Sequence, residues 1–193
     1  SSRRRHTRFK CDWSSDVCSS DLDGNNMVAT LTQDGMNNSI VGNFIGGDST
    51  MTVTQTGSGN AFSLTQGNFG TNGGSMTLSK TGDNNTVTFT MGSTANAGNY
   101  LYNLTISGNT NVVTSTMNSK YIENNITITG NTNTFTTTQN GADGTSNSPG
   151  HKITSTIIGN SNTVTIVQNG TTTPNIITLN VTGNGTTTSI TQH

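Results

Sequence analysis

The sequence predicts an all-β protein, a repeat β-solenoid with two strands per coil and about six or seven coils of 22–29 residues. Three observations predict it. A Gly-x-x-Asn tetrapeptide recurs along the chain. Apolar residues alternate with threonine and serine on both sides of each copy, as in strands with one buried face. The segments of variable length lie away from the tetrapeptide, so one corner of the repeating unit is fixed and the other varies.

The tetrapeptide fixes the register of the repeat. Successive glycines lie 22 to 29 residues apart, and less regular copies surround Gly24 and Gly35. The asparagine follows its glycine by three residues in every regular copy except the last, which has Thr186 instead. We therefore expect the glycines to form one column along one edge of the solenoid. They are Gly57, Gly82, Gly108, Gly130, Gly159 and Gly183, and the asparagines are Asn60, Asn85, Asn111, Asn133 and Asn162.

Period-two alternation defines the strands. In NTVTFTM, residues 85–91, the apolar residues share one face with the asparagine, and the threonines occupy the other. A second strand precedes each glycine, as in YLYNLTIS and NIITLNVT. A two-strand unit cannot bury its apolar face alone, whereas stacked copies can. The residues expected to face inward are Phe62, Leu64, Val87, Phe89, Val113, Phe135, Val164, Ile166 and Ile190, with Leu104, Ile106, Ile126, Ile128, Ile177, Leu179 and Val181.

Stacking also accounts for the polar composition. Equivalent residues of successive coils lie about 4.8 Å apart in a β-stack. Asparagine and glutamine in such columns hydrogen-bond to their own copies, so they can be buried without leaving polar atoms unsatisfied. Glycine at the arc permits a positive φ where the chain reverses direction.

Residues 1–22 differ from the rest. They contain Trp13, Cys11 and Cys18, and five of the eight basic residues of the chain. DWSSDVCSSDL, residues 12–22, and SRRRHTR, residues 2–8, resemble one translated frame of a common sequencing adapter and its primer. We prefer this interpretation to a basic nucleic-acid arm or a cysteine pair, and we expect the segment to pack on nothing in particular. The predicted repeat domain is residues 23–193, which we expect to be a fragment of a longer protein.

The composition of residues 23–193 excludes several classes of protein. This segment contains three lysines and six carboxylates, which gives it a net charge of −3. We therefore expect no basic surface for nucleic acid. No apolar run approaches the length of a membrane span. No cysteine remains, so the redox compartment cannot be read from disulfides.

One copy of the repeat resembles a known family. Residues 49–66 contain Ser49, Gln55, Gly57, Asn60 and Gln66 in the spacing S-x5-Q-x-G-x2-N-x5-Q, which is similar to the curlin repeat of curli fibre subunits. The second glutamine recurs as Gln139, Gln168 and Gln192 and is replaced by Met91 and Met117, while the first becomes Lys80, Ile106, Ile128, Ile157 or Val181. The resemblance implies a functional amyloid: a β-solenoid that polymerises coil on coil outside the cell or at its surface, as a biofilm-matrix component or adhesin.

The sequence predicts no enzyme, cofactor or metal site. His151 and His193 are isolated, and no acidic residue lies at a suggestive spacing from either. No phosphate-binding glycine loop or nucleophile motif occurs. GGDST, residues 46–50, is only weakly similar to calcium-binding repeats.

Threonine-rich faces provide the main alternative function. The candidate surface comprises Thr86, Thr88, Thr90, Thr134, Thr136, Thr138, Thr163 and Thr165, and it resembles the water-organising faces of ice-binding β-solenoids. Exposed strand positions favour threonine in any case. Threonine is expected on both broad faces, and Asn103, Asn125 and Asn180 interrupt one of them. A segment of a phage or surface fibre is a further alternative. The preferred expectation is an extracellular structural protein that associates with itself into fibres.

Overall fold

The computed structural model describes most of the repeat and part of the segment before it. The described residues are 6–10, 17–23, 26–45, 49–57, 59–66, 74–82, 84–91, 100–108, 110–117, 122–130, 132–140, 152–159, 161–169, 176–183 and 185–192. His151, His193 and most of GGDST lie outside them.

The described residues form sixteen β-strands and no helix. Each strand is short, and its bounds follow the period-two alternation of the sequence. The strands are β1 His6–Lys10, β2 Val17–Asp23, β3 Val28–Asp34, β4 Ser39–Ile45, β5 Thr50–Thr56, β6 Ala61–Gln66, β7 Gly74–Thr81, β8 Thr86–Met91, β9 Tyr100–Ser107, β10 Thr110–Met117, β11 Ile122–Thr129, β12 Thr132–Asn140, β13 Lys152–Gly159, β14 Thr163–Asn169, β15 Ile176–Gly183 and β16 Thr187–Gln192.

The strands alternate between two parallel sheets. The odd-numbered strands form one eight-stranded sheet, called sheet 1, and the even-numbered strands form the other, called sheet 2. Every strand pairs in parallel with the strand two places away in sequence, so each coil contributes one strand to each sheet. The predicted fold class, a β-solenoid with two strands per coil, is confirmed. The strands from β3 to β16 form seven coils within the described residues, at the upper end of the expected number.

Residues 1–22 do not behave as expected. β1 pairs with β3 from His6 opposite Val28 to Lys10 opposite Thr32, and β2 pairs with β4 along its whole length. The expectation that this segment packs on nothing is therefore wrong for its two strands, which add an eighth coil. The physical reason is that the edge of a parallel sheet offers unpaired N–H and C=O groups to any extended segment, largely regardless of its side chains.

The core lies between the two sheets. Most of the residues predicted to face inward are buried, including Phe62, Val87, Phe89 and Phe135. The rings of Phe89 and Tyr102 stack across the core with centroids 4.6 Å apart, a contact that the sequence alone did not predict. The exceptions are all in the last described coil. Ile190 is 47% exposed, and Ile177, Leu179 and Val181 are only partly buried, because they belong to the last of the described coils and pack against a described coil on one side.

Candidate functional site

The glycine column forms the tight edge of the solenoid. The backbone N–H of Gly108 donates to the carbonyl of Thr129 in the next coil at 2.9 Å, and Gly57, Gly82 and Gly130 make the equivalent bond. On the other side of the arc, the carbonyl of Asn85 accepts from the N–H of Val112 at 3.1 Å. Backbone pairing therefore continues from each strand into the arc, which holds successive arcs directly over one another.

The close approach of successive backbone arcs explains why these positions are glycine better than their φ angles do. Gly57 and Gly82 have φ of +121° and +147°, as expected from the sequence, but the later glycines do not lie in the left-handed region. A Cβ on any of Gly57, Gly82, Gly108, Gly130 and Gly159 would instead overlap the carbonyl oxygen of the glycine one coil earlier. The column thus needs glycine mainly because a methyl group has no space between stacked arcs.

The arc asparagines form a buried ladder beside the glycines. Each side-chain Nδ2 donates to the Oδ1 of the asparagine in the preceding coil, at 2.6–2.9 Å. The ladder runs through Asn38, Asn60, Asn85, Asn111, Asn133 and Asn162. It ends at Asn162, whose Oδ1 is buried without a partner, because the next coil has Thr186 at the equivalent position. Asn38 was not among the residues predicted from the sequence, since its copy of the repeat is irregular.

The first-glutamine position of the repeat joins the two sheets within a coil. Gln55 Nε2 donates to Gln33 Oε1 at 2.8 Å and to the carbonyl of Ala61 across the arc at 3.1 Å. Ser49, at the start of the same copy, is buried, and its Oγ accepts from the N–H of Met27 at 3.3 Å. These two motif positions therefore hold one coil both to itself and to its neighbour.

Lys80 replaces glutamine in this column and is buried. It lies opposite Gln55 on one side and Ile106 on the other, and its Nζ donates to the Thr86 carbonyl at 2.8 Å. The bond has the same six-residue span as the bond from Gln55 to Ala61. Burial lowers the pKa of Lys80 to about 7, because the ammonium loses its hydration.

We expect the free energy of unfolding to rise by about 2 kcal/mol between pH 7 and pH 9 because of Lys80. The unfolded chain keeps the lysine proton up to about pH 10, whereas the native state releases it from about pH 7 upward. The destabilisation by Lys80 is therefore full below pH 7 and is relieved as pH rises. Lys80→Gln, which repeats the residue at Gln33 and Gln55, should remove this pH dependence. Urea unfolding at both pH values measures it.

An equal rise in the free energy of unfolding from pH 7 to pH 9 in the wild-type protein and in Lys80→Gln would contradict the prediction. The range ends at pH 9 because burial raises the pKa of the Tyr102 phenol, so that Tyr102 disfavours the native state at higher pH.

The second-glutamine position continues the polar core at the other end of sheet 2. Gln139 Nε2 donates to Gln168 Oε1 at 2.7 Å, and Gln139 Oε1 accepts from Asn124 Nδ2 of sheet 1. Gln192 lies opposite Gln168 in the last coil and is exposed. The backbone of Gln66 pairs with β4 and β8, and its side chain lies outside the described part. Asn124 was missed in the sequence because its partner comes from the opposite sheet.

The candidate threonine surface lies on one face. All eight of its residues belong to sheet 2 and point outward, and the register places Thr88, Thr136 and Thr165 in one column. The asparagines that interrupt a threonine rank, Asn103, Asn125 and Asn180, all lie on sheet 1. The asparagines that interrupt a threonine rank therefore lie on the face opposite the candidate threonine surface, in agreement with the expectation that they interrupt only one face.

The described residues contain no group of three or more His, Cys, Asp or Glu side chains that could hold a metal ion. No helix long and apolar enough to cross a membrane occurs in the described part of the chain. Comparisons with known proteins return nothing: no family model, no curated protein and no solved structure matches the chain. The class that the fold defines is a parallel two-sheet β-solenoid with internal asparagine and glutamine ladders.

Proposed function

We propose that the chain is an extracellular structural repeat protein, a curli-like fibre, adhesin or biofilm-matrix component, that assembles by coil stacking. One observation carries the proposal. Many contacts between neighbouring coils join like residues in register: asparagine on asparagine, glutamine on glutamine and apolar residue on apolar residue. A coil from a second copy could make contacts of the same kind.

The inward-facing residues of the last described coil are exposed or only partly buried. Ile190 is 47% exposed, whereas Ile166, directly opposite it in the preceding coil, is fully buried. Ile177 and Val181 are likewise only partly buried, although Ile153 and Ile157 opposite them have no exposed surface. Burying such a side chain contributes roughly 1.5–3 kcal/mol, which favours covering this coil with another.

The register of the strands supports one way of adding a second copy. Ile177 belongs to the same column as Ala29, and Leu179 belongs to the same column as Leu31. Placing β3 of a second copy beside β15 would continue both columns and keep all strands parallel. In the present chain β1 already pairs with β3. Assembly through that edge therefore requires β1 to leave or to be absent.

The curlin-like copy supports the same interpretation. Its serine, first glutamine, glycine and asparagine all make contacts between coils in this structure. In a polymer formed by stacking, contacts of this kind would recur between subunits. The low net charge of residues 23–193 gives little repulsion between copies. Secretion to the outside of the cell is the part of the proposal that rests on the resemblance alone.

Fibre formation tests the proposal. We expect residues 23–193, incubated at tens of micromolar, to form fibres with a meridional reflection at about 4.7–4.8 Å, seeded by their own fragments. The full chain should assemble more slowly, because β1 and β2 occupy the edges of β3 and β4. A fragment that stays monomeric for days would contradict the proposal.

A matched pair of variants locates the contact. Ile190→Lys places a charge on the inward-facing surface of the last described coil and should slow assembly strongly. Ile158→Lys makes the same change at a position of equal exposure, 46% against 47%, but on the outer face of sheet 1. It should have little effect. Equal slowing by both variants would indicate lateral association rather than coil stacking.

A further inference from the structure

The outer face of sheet 2 carries an ordered array of hydroxyl-bearing side chains. Its central column contains one such residue in each of six successive coils, Ser63, Thr88, Thr114, Thr136, Thr165 and Ser189. On one side, Thr90, Thr116 and Thr138 form a parallel column, and on the other Thr134 and Thr163 lie opposite each other. The array is therefore three columns wide, with Val112 and Val167 interrupting its two outer columns.

The backbone fixes the spacing of this array in two directions. Neighbouring strands lie about 4.8 Å apart, and residues two apart along a strand lie about 6.6 Å apart. Threonine is β-branched and has few χ1 rotamers, so equivalent side chains in a register-matched stack lose little freedom when they adopt one orientation. The result is a two-dimensional lattice of hydroxyl and methyl groups with a regular repeat.

The same face lacks charge. From β6 to β16, the outward positions of sheet 2 carry no Asp, Glu, Lys or Arg among the described residues. The outer face of sheet 1 differs, because Lys152 and Glu123 form an ion pair there at 3.0 Å and Asn125 donates to Asn103. Charged groups bind water strongly around themselves, which disrupts any regular arrangement of water over the surface. Sheet 1 also has a hydroxyl column, from Thr32 to Thr156, but that face carries the ion pair and the asparagines as well. Sheet 2 therefore differs in presenting its hydroxyl columns on a face without charged side chains from β6 to β16 in the described residues.

We propose that the outer face of sheet 2 binds ice, with its hydroxyl and methyl lattice holding a layer of water in the arrangement of the crystal surface. Ice presents hydrogen-bonding oxygen atoms at spacings of the same order as the array. A sugar chain is a poorer fit, because the outward positions from β6 to β16 include no aromatic ring and no carboxylate in the described residues. A protein partner would find mainly small polar groups, with little apolar area to bury.

This property is independent of fibre assembly. The lattice lies on the side of the solenoid, whereas coil stacking uses its ends. Ile190→Lys, which changes the end coil, should therefore leave ice adsorption by freshly prepared monomer unchanged. Failure of either proposal leaves the other intact.

Ice adsorption by the full chain tests the inference. We expect the labelled monomer to incorporate into a growing ice hemisphere and to produce thermal hysteresis. Thr136→Lys, in the central column of sheet 2, should reduce both several-fold. Thr127→Lys makes the same change in the central column of sheet 1, where Thr105 and Thr156 flank it, and should retain the wild-type values. Far-UV circular dichroism and the unfolding midpoint check that each variant is folded.

Thr136→Val provides a second test that preserves side-chain shape and strand propensity. It removes one hydroxyl from the lattice and should weaken adsorption less than Thr136→Lys does. Exclusion of the wild-type protein from ice, as for an inert protein, would overturn the proposal. Equal losses in Thr136→Lys and Thr127→Lys would also overturn it, because the effect would then not belong to sheet 2.

Discussion

Gly108→Ala should destabilise the solenoid by at least about 3 kcal/mol. Its added methyl group would overlap the carbonyl oxygen of Gly82 and lie 2.8 Å from the carbonyl carbon. Both atoms belong to the backbone, so no side-chain rotation relieves the overlap. The coils would have to separate locally, which would lengthen the bond from Gly108 N–H to the Thr129 carbonyl and the ladder bond between Asn111 and Asn85. Chemical denaturation measures the loss.

Gly35→Ala is the matched control. Among the described residues, a Cβ at that position meets only Asn38 Nδ2 at 3.6 Å, an ordinary contact. Its φ of +140° still disfavours an L-residue, so a cost of about 1–3 kcal/mol remains. If Gly108→Ala lowers the free energy of unfolding no more than Gly35→Ala does, then backbone conformation, rather than the space between coils, is the reason for glycine.

Asn111→Ala should cost about 2–6 kcal/mol. The substitution removes two ladder bonds, from Asn111 to Asn85 at 2.8 Å and from Asn133 to Asn111 at 2.6 Å. The Asn85 oxygen and the Asn133 amide then stay buried without those partners, and each such group costs about 1–3 kcal/mol. The denaturation midpoint should fall accordingly.

Asn125→Ala tests whether burial produces this effect. Asn125 also donates to an asparagine one coil away, Asn103, at 3.1 Å, but on the partly exposed outer face of sheet 1. Water can replace this partner, so the expected loss is well under that of Asn111→Ala. Similar losses of stability in Asn111→Ala and Asn125→Ala would mean that burial does not increase the contribution of the ladder hydrogen bonds.

Local sequence patterns were sufficient to predict the fold class. Alternation of apolar residues with threonine identifies strands because side chains point to opposite faces at every step. The fixed Gly-x-x-Asn spacing gives the register of the even-numbered strands, since the asparagine of a regular copy lies directly before the strand or is its second residue. The burial of Phe89 and Phe135 and the amide ladder through Asn111 follow from these two facts alone.

Other features depend on which strands share a sheet and on what lies one coil away. Lys80 was visible as a departure from glutamine, but its burial and lowered pKa arise from the stacking of neighbouring coils around it. Pairing between Asn124 and Gln139 crosses from one sheet to the other. The strands of residues 1–22 form because an edge is available, and no property of their own sequence predicted them.

The sequence by itself determined the repeat, the strands, the inward-facing residues and the columns of glycine and asparagine, because each depends on spacing along the chain. Only the tertiary structure decided that the glycines are required chiefly by contact between arcs, that the inward-facing residues of the last described coil are exposed, and that Lys80 is buried between its neighbouring coils. These features arise from distances between coils, which the period of a sequence does not contain.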